Sequence, residues 1–432
     1  MMTDLKVPPS KAAKPVQRLN IMTKPIGSVC NIDCTYCYYL SKARLLDHKK
    51  GEESRFSLEM LEHYIQSYIE QQNFPEIVFH WQGGEPTLLG VKFFRDVVRL
   101  QKKYCPPGVK IENNLQTNGT LLNDEWGKFL HKNDFLVGLS LDGPELIHNA
   151  HRTNRSGKGT FKQTMKGVDI LHKYKVNFAT LTCINSVSGA SPLQVYRFLR
   201  DVVRSPQMQF IPIVEPKSFR DTAPQRWPTD QQVFQGMPEA EPNHPHSIVE
   251  SWSVSAKQWG TFLISVFDEW FSHDLGKVHV PYFEAWIESW MGRVNPLCTL
   301  GPMCGKGLAI EHNGDVFACD HYVYPEFKLG NINSKTLEEM QFSPEQEQFG
   351  HAKEGTLPTQ CRQCDYQFAC FGECPKNRFL KTLDGEPGLN YLCAGWKRFY
   401  QHADPYFATI VSSMGYPVHK KLNSDAMKIQ FR

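Results

Sequence analysis

Cys30-Asn-Ile-Asp-Cys34-Thr-Tyr-Cys37 places three thiols on one short stretch, directly after an apolar run at 19–22 that reads as a β-strand. Three protein sulfurs make an incomplete ligand set. Structural zinc asks for four ligands, so a distant histidine would have to complete it. An iron–sulfur cluster held by three thiolates instead keeps one iron open to another molecule. On spacing alone both readings stand.

Outward from that loop, β-type runs at 19–22, 77–81, 111–116, 136–141, 178–184 and 208–213 alternate with stretches at 58–71, 93–103, 124–131 and 161–173, whose apolar residues fall three and four apart. Strands alternating with amphipathic helices predict a parallel sheet with crossover helices, here an α/β fold of six units forming a partial (β/α)6 barrel. Chemistry in such folds gathers at the C-terminal ends of the strands, where the thiol loop stands.

The chain has 432 residues, enough for two domains, since single cores seldom exceed roughly 250–300 residues. Its 48 basic and 45 acidic residues leave a net charge of +3 without long single-sign runs, which gives no footprint for nucleic acid. Residues 1–19 lack the apolar core of a secretory signal, and no stretch of about 18 apolar residues occurs, so the expectation is a cytoplasmic protein without membrane spans. In a reducing compartment the thirteen cysteines are metal ligands more readily than disulfides.

Eight of them, Cys298, Cys304, Cys319, Cys361, Cys364, Cys370, Cys374 and Cys393, gather late in the chain, enough for two four-cysteine clusters or for zinc ribbons. Runs at 308–311 and 316–318, joined through Asn313-Gly314, read as a β-hairpin. The stretch 215–251, rich in proline, glutamine, histidine and acidic residues, reads as a surface insertion or linker. Cys105 and Cys183 are left over and read as small buried hydrophobes.

Cys30, Cys34 and Cys37 after strand one, followed by Gly83-Gly84-Glu85-Pro86 after strand two, resemble the radical S-adenosylmethionine (SAM) superfamily. The resemblance implies that the open iron chelates SAM and that one electron cleaves it to a 5′-deoxyadenosyl radical. Gly84 and Glu85 then hold the methionine amino group, and Ser140 and Arg152, in and after Val137-Gly-Leu-Ser140-Leu-Asp-Gly-Pro144, match residues that contact SAM, the arginine through its carboxylate. Tyr36 and Met208 match adenosine-contacting positions. The late cysteines resemble a SPASM domain, which implies Cys298, Cys304, Cys319 and Cys374 for one auxiliary [4Fe–4S] cluster and Cys361, Cys364, Cys370 and Cys393 for a second, three clusters in all. The implied division is an extension at 1–17, a radical SAM core at 18–255 and a small cysteine-rich SPASM domain with hairpin, helices and C-terminal tail at 256–432.

Cys37-Tyr-Tyr39, Phe79-His-Trp-Gln82-Gly-Gly-Glu-Pro-Thr-Leu88, Leu115-Gln-Thr-Asn-Gly-Thr-Leu121 and Val316-Phe-Ala-Cys-Asp320 further resemble the anaerobic sulfatase-maturating enzymes. That likeness implies two-electron oxidation of a cysteine or serine of a sulfatase to Cα-formylglycine. Asp320 matches the base, and Tyr39 and Gln82 match residues lining the active site. The implied partners are an exposed or unfolded Cys/Ser-x-Pro/Ala-x-Arg segment and a low-potential donor such as flavodoxin or ferredoxin. Two rival readings are a SPASM maturase of a ribosomally made peptide and a non-catalytic iron–sulfur electron carrier. The carrier would account for the late cysteines but for neither Gly-Gly-Glu-Pro nor the three-cysteine loop.

Overall fold

The computed structural model describes residues 18–46, 54–220, 222–224 and 232–419. The extension at 1–17, part of the 215–251 stretch and the tail beyond 419 lie outside the described residues.

Six strands, β1 (Ile21–Lys24), β2 (Glu76–Trp81), β3 (Lys110–Thr117), β4 (Phe135–Ser140), β5 (Phe178–Ile184) and β6 (Met208–Pro212), lie side by side in chain order. Every neighbouring pair is parallel. The crossovers carry α1 (Leu58–Glu70), α2 (Gly90–Tyr104), α3 (Asp124–Lys132), α4 (Phe161–Lys173) and α5 (Pro192–Arg197). Ser57 and Asn123 start α1 and α3 by accepting from the backbone N–H of Met60 and Trp126, which satisfies donors that a helix start leaves free. In β2, Ile77, Phe79 and Trp81 are buried while Val78 and His80 between them are half-buried. His80 meets Asn114 of β3 on that second face, Nδ1 to Nδ2 at 3.2 Å. The pleat thus gives the sheet one face sealed in the core and one open to a lumen.

The predicted hairpin forms as β7 (Leu308–Glu311) and β8 (Asp315–Phe317), followed by β9 (Lys328–Asn331). It joins the barrel sheet rather than standing apart. β7 runs parallel to β1, Ile21 opposite Leu308 and Lys24 opposite Glu311, giving the order β9-β8-β7-β1-β2-β3-β4-β5-β6.

Helix α6 (Ala256–Glu269) crosses α8 (Cys393–Ser413) at a glycine contact, and a Cβ on Gly395 would stand 2.2 Å from the Ala256 carbonyl oxygen. Aromatic rings fill the space around that crossing and α7 (Pro281–Trp290), with Trp259 and Trp396 at 5.2 Å between ring centres and Trp286 and Phe399 at 4.8 Å.

The 215–251 stretch begins and ends on neighbouring backbone. Lys217 N donates to Ile248 O at 3.1 Å and Glu250 N to Glu215 O at 2.8 Å, so its ends are stitched together. Phe219 and neighbouring Trp252 pack beside Tyr36. A proline-rich segment without periodicity folds back because its backbone groups pair across its own ends.

Candidate active site

Three neighbouring segments hold the thiol loop. Gly84 N donates to Gly27 O at 2.7 Å and Glu85 N to Val29 O at 2.9 Å. A Cβ on Gly84 would lie 1.9 Å from Val29 O, so only glycine admits this approach. On another side Ile32–Cys34 pairs antiparallel with Arg152–Asn154, which sets Cys34 opposite Arg152. On the third, Asn118 Nδ2 donates to Asn31 Oδ1 at 2.9 Å.

Glu85 is buried. Its Oε1 accepts from Thr87 N at 3.0 Å, Thr87 Oγ1 at 2.5 Å and Thr117 Oγ1 at 2.7 Å, and Oε2 accepts from Asn118 N at 2.7 Å. Burial pushes its carboxyl above the ordinary range against those hydrogen bonds. An ionised carboxylate offers about four acceptor sites, so Oε2 keeps room for one more donor such as an ammonium.

Arg152 forms an ion pair with Asp142 at 3.1 Å and points N–H groups at the sulfurs of Cys34 (3.8 Å) and Cys183 (3.7 Å). Asp142 also accepts from the Tyr36 hydroxyl and from Cys183 N at 3.1 Å. Cys183 is half-buried beside this network and packs against the cluster of Tyr36, Phe219 and Trp252, and half-buried Cys105 turns its thiol to Val109 O at 3.3 Å. Ser140 ends β4, buried, and half-buried Gln82 follows β2. Both stand at the C-terminal rim.

Met208 opens β6, is fully buried, and its N–H donates to His279 O at 2.9 Å. Across the sheet it stands level, through Thr180 and Leu139, with Thr117, whose hydroxyl bonds Glu85.

Asp320 follows Cys319 just beyond β8. Buried Lys24, the last residue of β1, forms an ion pair with its Oδ1, and the Tyr38 hydroxyl donates to its Oδ2 at 2.7 Å. Burial works to raise this carboxyl, but the Lys24 ammonium, His321 and the hydrogen bonds from Lys24 and Tyr38 prevail and hold it below its ordinary value. One fifth of the Asp320 side chain stays accessible although it lies deep in the molecule. Tyr39 is buried, its ring 4.3 Å from Lys24 Nζ and its hydroxyl without a hydrogen-bond partner among the described residues. Sequence reasoning passed over Lys24, Tyr38 and Asp142. The available signals were a lysine closing a barrel strand, a second tyrosine after the thiol loop and an acidic residue beyond a strand end.

The thiols form three sets. Cys34 lies near enough to Cys37 and Cys30 to respond to their charge. Cys319 responds to Cys298, Cys374 and Cys304, and Cys393 to Cys370, Cys361 and Cys364. Among the described residues no three His, Cys, Asp or Glu side chains converge as ligands of a single ion. A zinc site would draw its sulfurs in to about 2.3 Å from one point. Cluster ligands bind different irons and stand further apart, so the donor sets fit iron–sulfur clusters. Buried Lys353 donates to Cys298 O at 2.6 Å and Thr299 O at 2.8 Å, which puts a cation beside the set that contains Cys319. Buried Arg378 acts on Cys304 in that set and on Cys361 in the other.

Residues 25–199 match the model of the radical SAM superfamily, and residues 298–365 match that of an iron–sulfur cluster-binding domain, SPASM. A serine-type anaerobic sulfatase-maturating enzyme of Bacteroides thetaiotaomicron is 44% identical over 394 residues, covering 91% of each chain. The chain belongs to the anaerobic sulfatase-maturating enzymes. A cysteine-type anaerobic sulfatase-maturating enzyme of Clostridium perfringens is 30% identical, covering 92% of this chain and 99% of its own. A solved structure, native anSMEcpe with bound AdoMet and Cp18Cys peptide, superposes with a TM-score of 0.77 at 29% identity, covering 92% of this chain and all of that one. Membership in this family of sulfatase-maturating enzymes brings iron–sulfur clusters and SAM as cofactors. Among the described residues no helix is long and apolar enough to cross a membrane.

Proposed function

We propose that this chain oxidises a serine or cysteine side chain of a sulfatase polypeptide to Cα-formylglycine with three [4Fe–4S] clusters, Asp320 serving as base. The observation that carries the reading is the position of Asp320, partly accessible yet deep, between the Cys30–Cys34–Cys37 loop and Cys319. The bound cofactors supply removal of the Cβ hydrogen and an outlet for the remaining electron. Everything else falls to side chains. Asp320 takes the hydroxyl or thiol proton, which a positioned carboxylate can do at hydrogen-bond range. Tyr39 and Gln82 line the substrate's seat. Oε2 of Glu85, with Gly84 beside it, receives the methionine ammonium, and Arg152, steadied by Asp142, receives the carboxylate. Tyr36 and Ser140 complete that pocket.

In this reading the core at 18–255 carries the open cluster. The region 256–432 carries the auxiliary pair, Cys298, Cys304, Cys319 and Cys374 on one and Cys361, Cys364, Cys370 and Cys393 on the other. A low-potential flavodoxin or ferredoxin delivers the initiating electron in the cytoplasm, and the substrate presents Cys/Ser-x-Pro/Ala-x-Arg. The nearer likeness to a serine-type relative makes the serine peptide the first to test.

The test is anaerobic turnover of serine and cysteine motif peptides followed by mass spectrometry. Formylglycine should appear with 5′-deoxyadenosine. Asp320→Asn should still cleave SAM while losing most peptide oxidation, and Cys34→Ala should lose both. Full product from Asp320→Asn would remove the base, and SAM cleavage beside an unaltered peptide would point to a different polypeptide.

A further inference from the structure

Asp320 is held by two donors of different character. Lys24 is 1% exposed and its ammonium is fixed: β1 ends there, paired to β7, and the Tyr39 ring covers it at 4.3 Å. Tyr38 is held more lightly, half-buried, with His321 edge-on at 5.5 Å and Tyr39 edge-on at 5.9 Å. Its hydroxyl on Oδ2, at 2.7 Å, has the geometry of any alcohol O–H on a carboxylate.

Resting on the proposed role of Asp320, we infer that Lys24 is a positioning residue that locks Oδ1, and that the Tyr38 hydroxyl occupies on Oδ2 the seat that the substrate's own hydroxyl or thiol takes during turnover. One O–H donor replaces another, so the carboxylate is never left bare, and an unpaired buried acceptor is what would be costly. With serine in that seat, the O–H bond breaks and its proton passes to Oδ2. The Cβ hydrogen leaves as an atom to the SAM-derived acceptor, and the remaining electron passes to an auxiliary iron–sulfur cluster as the C=O bond forms. Locking Oδ1 leaves the reacting hydroxyl a single address, which aligns it with Cβ–H cleavage.

The readout is the ratio of formylglycine to 5′-deoxyadenosine made from a serine peptide by reconstituted full-length enzyme. Lys24→Met should lower that ratio at least tenfold and Lys24→Arg should recover most of it. If Lys24 only supports the fold, both products fall together and the ratio stays at the wild-type value, which overturns the assignment. Lys24→Met leaves Asp320 buried without its cation, a change that can prevent folding. The double variant Lys24→Met/Asp320→Asn removes both charges and keeps the test alive. Its ratio should equal that of Asp320→Asn alone if Lys24 acts through Asp320, and a further drop would sink the idea. Tyr38→Phe tests the seat: freed of its internal competitor, the serine peptide should show a KM lowered severalfold with kcat largely kept. A kcat collapse at unchanged KM would make Tyr38 part of the chemistry instead. Absence of formylglycine from wild-type enzyme would be a failure of the proposed function itself, separate from these comparisons among variants.

Discussion

His148 is fully buried, with Nε2 3.1 Å from Thr160 Oγ1 and Nδ1 accepting from Asp142 N at 3.4 Å. Burial, then the nearby Arg152 charge, lowers its pKa to about 3 despite the pull of Asp142. A histidine kept neutral in the fold is protonated in the unfolded chain below its ordinary value near 6.5, so stability falls as pH drops through 6.5 toward 3. The loss is about 1 kcal/mol between pH 6.5 and 5.5, because a tenfold rise in proton activity is worth up to about 1.4 kcal/mol to a group that only the unfolded chain protonates. Anaerobic urea midpoints at these two pH values should therefore differ less in His148→Gln than in wild type, and an equal difference would show that this ring does not set the slope. Residues of this kind were only partly legible. Cysteine spacing and Gly83-Gly84-Glu85-Pro86 announce themselves because few other side chains could do their work. Lys24 does not, because a lysine closing a strand reads as solvated until a strand from far along the chain covers it.

At the scale of elements, alternation of buried and half-buried positions made all six barrel strands readable, with boundaries off by two residues at most, as in β1, read as 19–22 and observed as Ile21–Lys24. The hairpin was readable from Asn313-Gly314, and Gly314 does take the left-handed conformation, φ +85°. Its attachment to β1 was not, because pairing between distant strands is decided by shape and burial that no local window holds. The α6–α8 crossing is testable directly. Gly395 lies two residues beyond Cys393, and a side chain there meets the Ala256 carbonyl. Gly395→Val should force the helices apart, destabilise the protein by about 1–3 kcal/mol as overpacking does, and draw Cys393 away from Cys361, Cys364 and Cys370. With three clusters as proposed, iron analysis should then show about a third of the metal missing. A full complement of iron would mean that α8 is not what sets Cys393.

For the molecule as a whole, the thiol sets stitch together segments that little regular structure connects, from Cys298 to Cys393. Ligand groups of this kind lend their binding energy to folding. Chelating the iron should therefore speed amide exchange at 298–304, 319–327 and 361–374 while β2 to β5 stay protected, as hydrogen exchange with mass spectrometry would report. Uniform protection with and without iron would deny the clusters any structural part.

The β1–β7 pairing also has a consequence for how the molecule is made. The partner of β1 at 308–311 is synthesised about 290 residues after β1 itself. Until then one flank of β1 presents unpaired N–H and C=O groups, an open edge of the sort that invites pairing with another chain. Contacts this distant in sequence also form slowly. The nascent protein thus carries Lys24 uncovered until residue 320 has been made, and the Lys24–Asp320 pair forms only then.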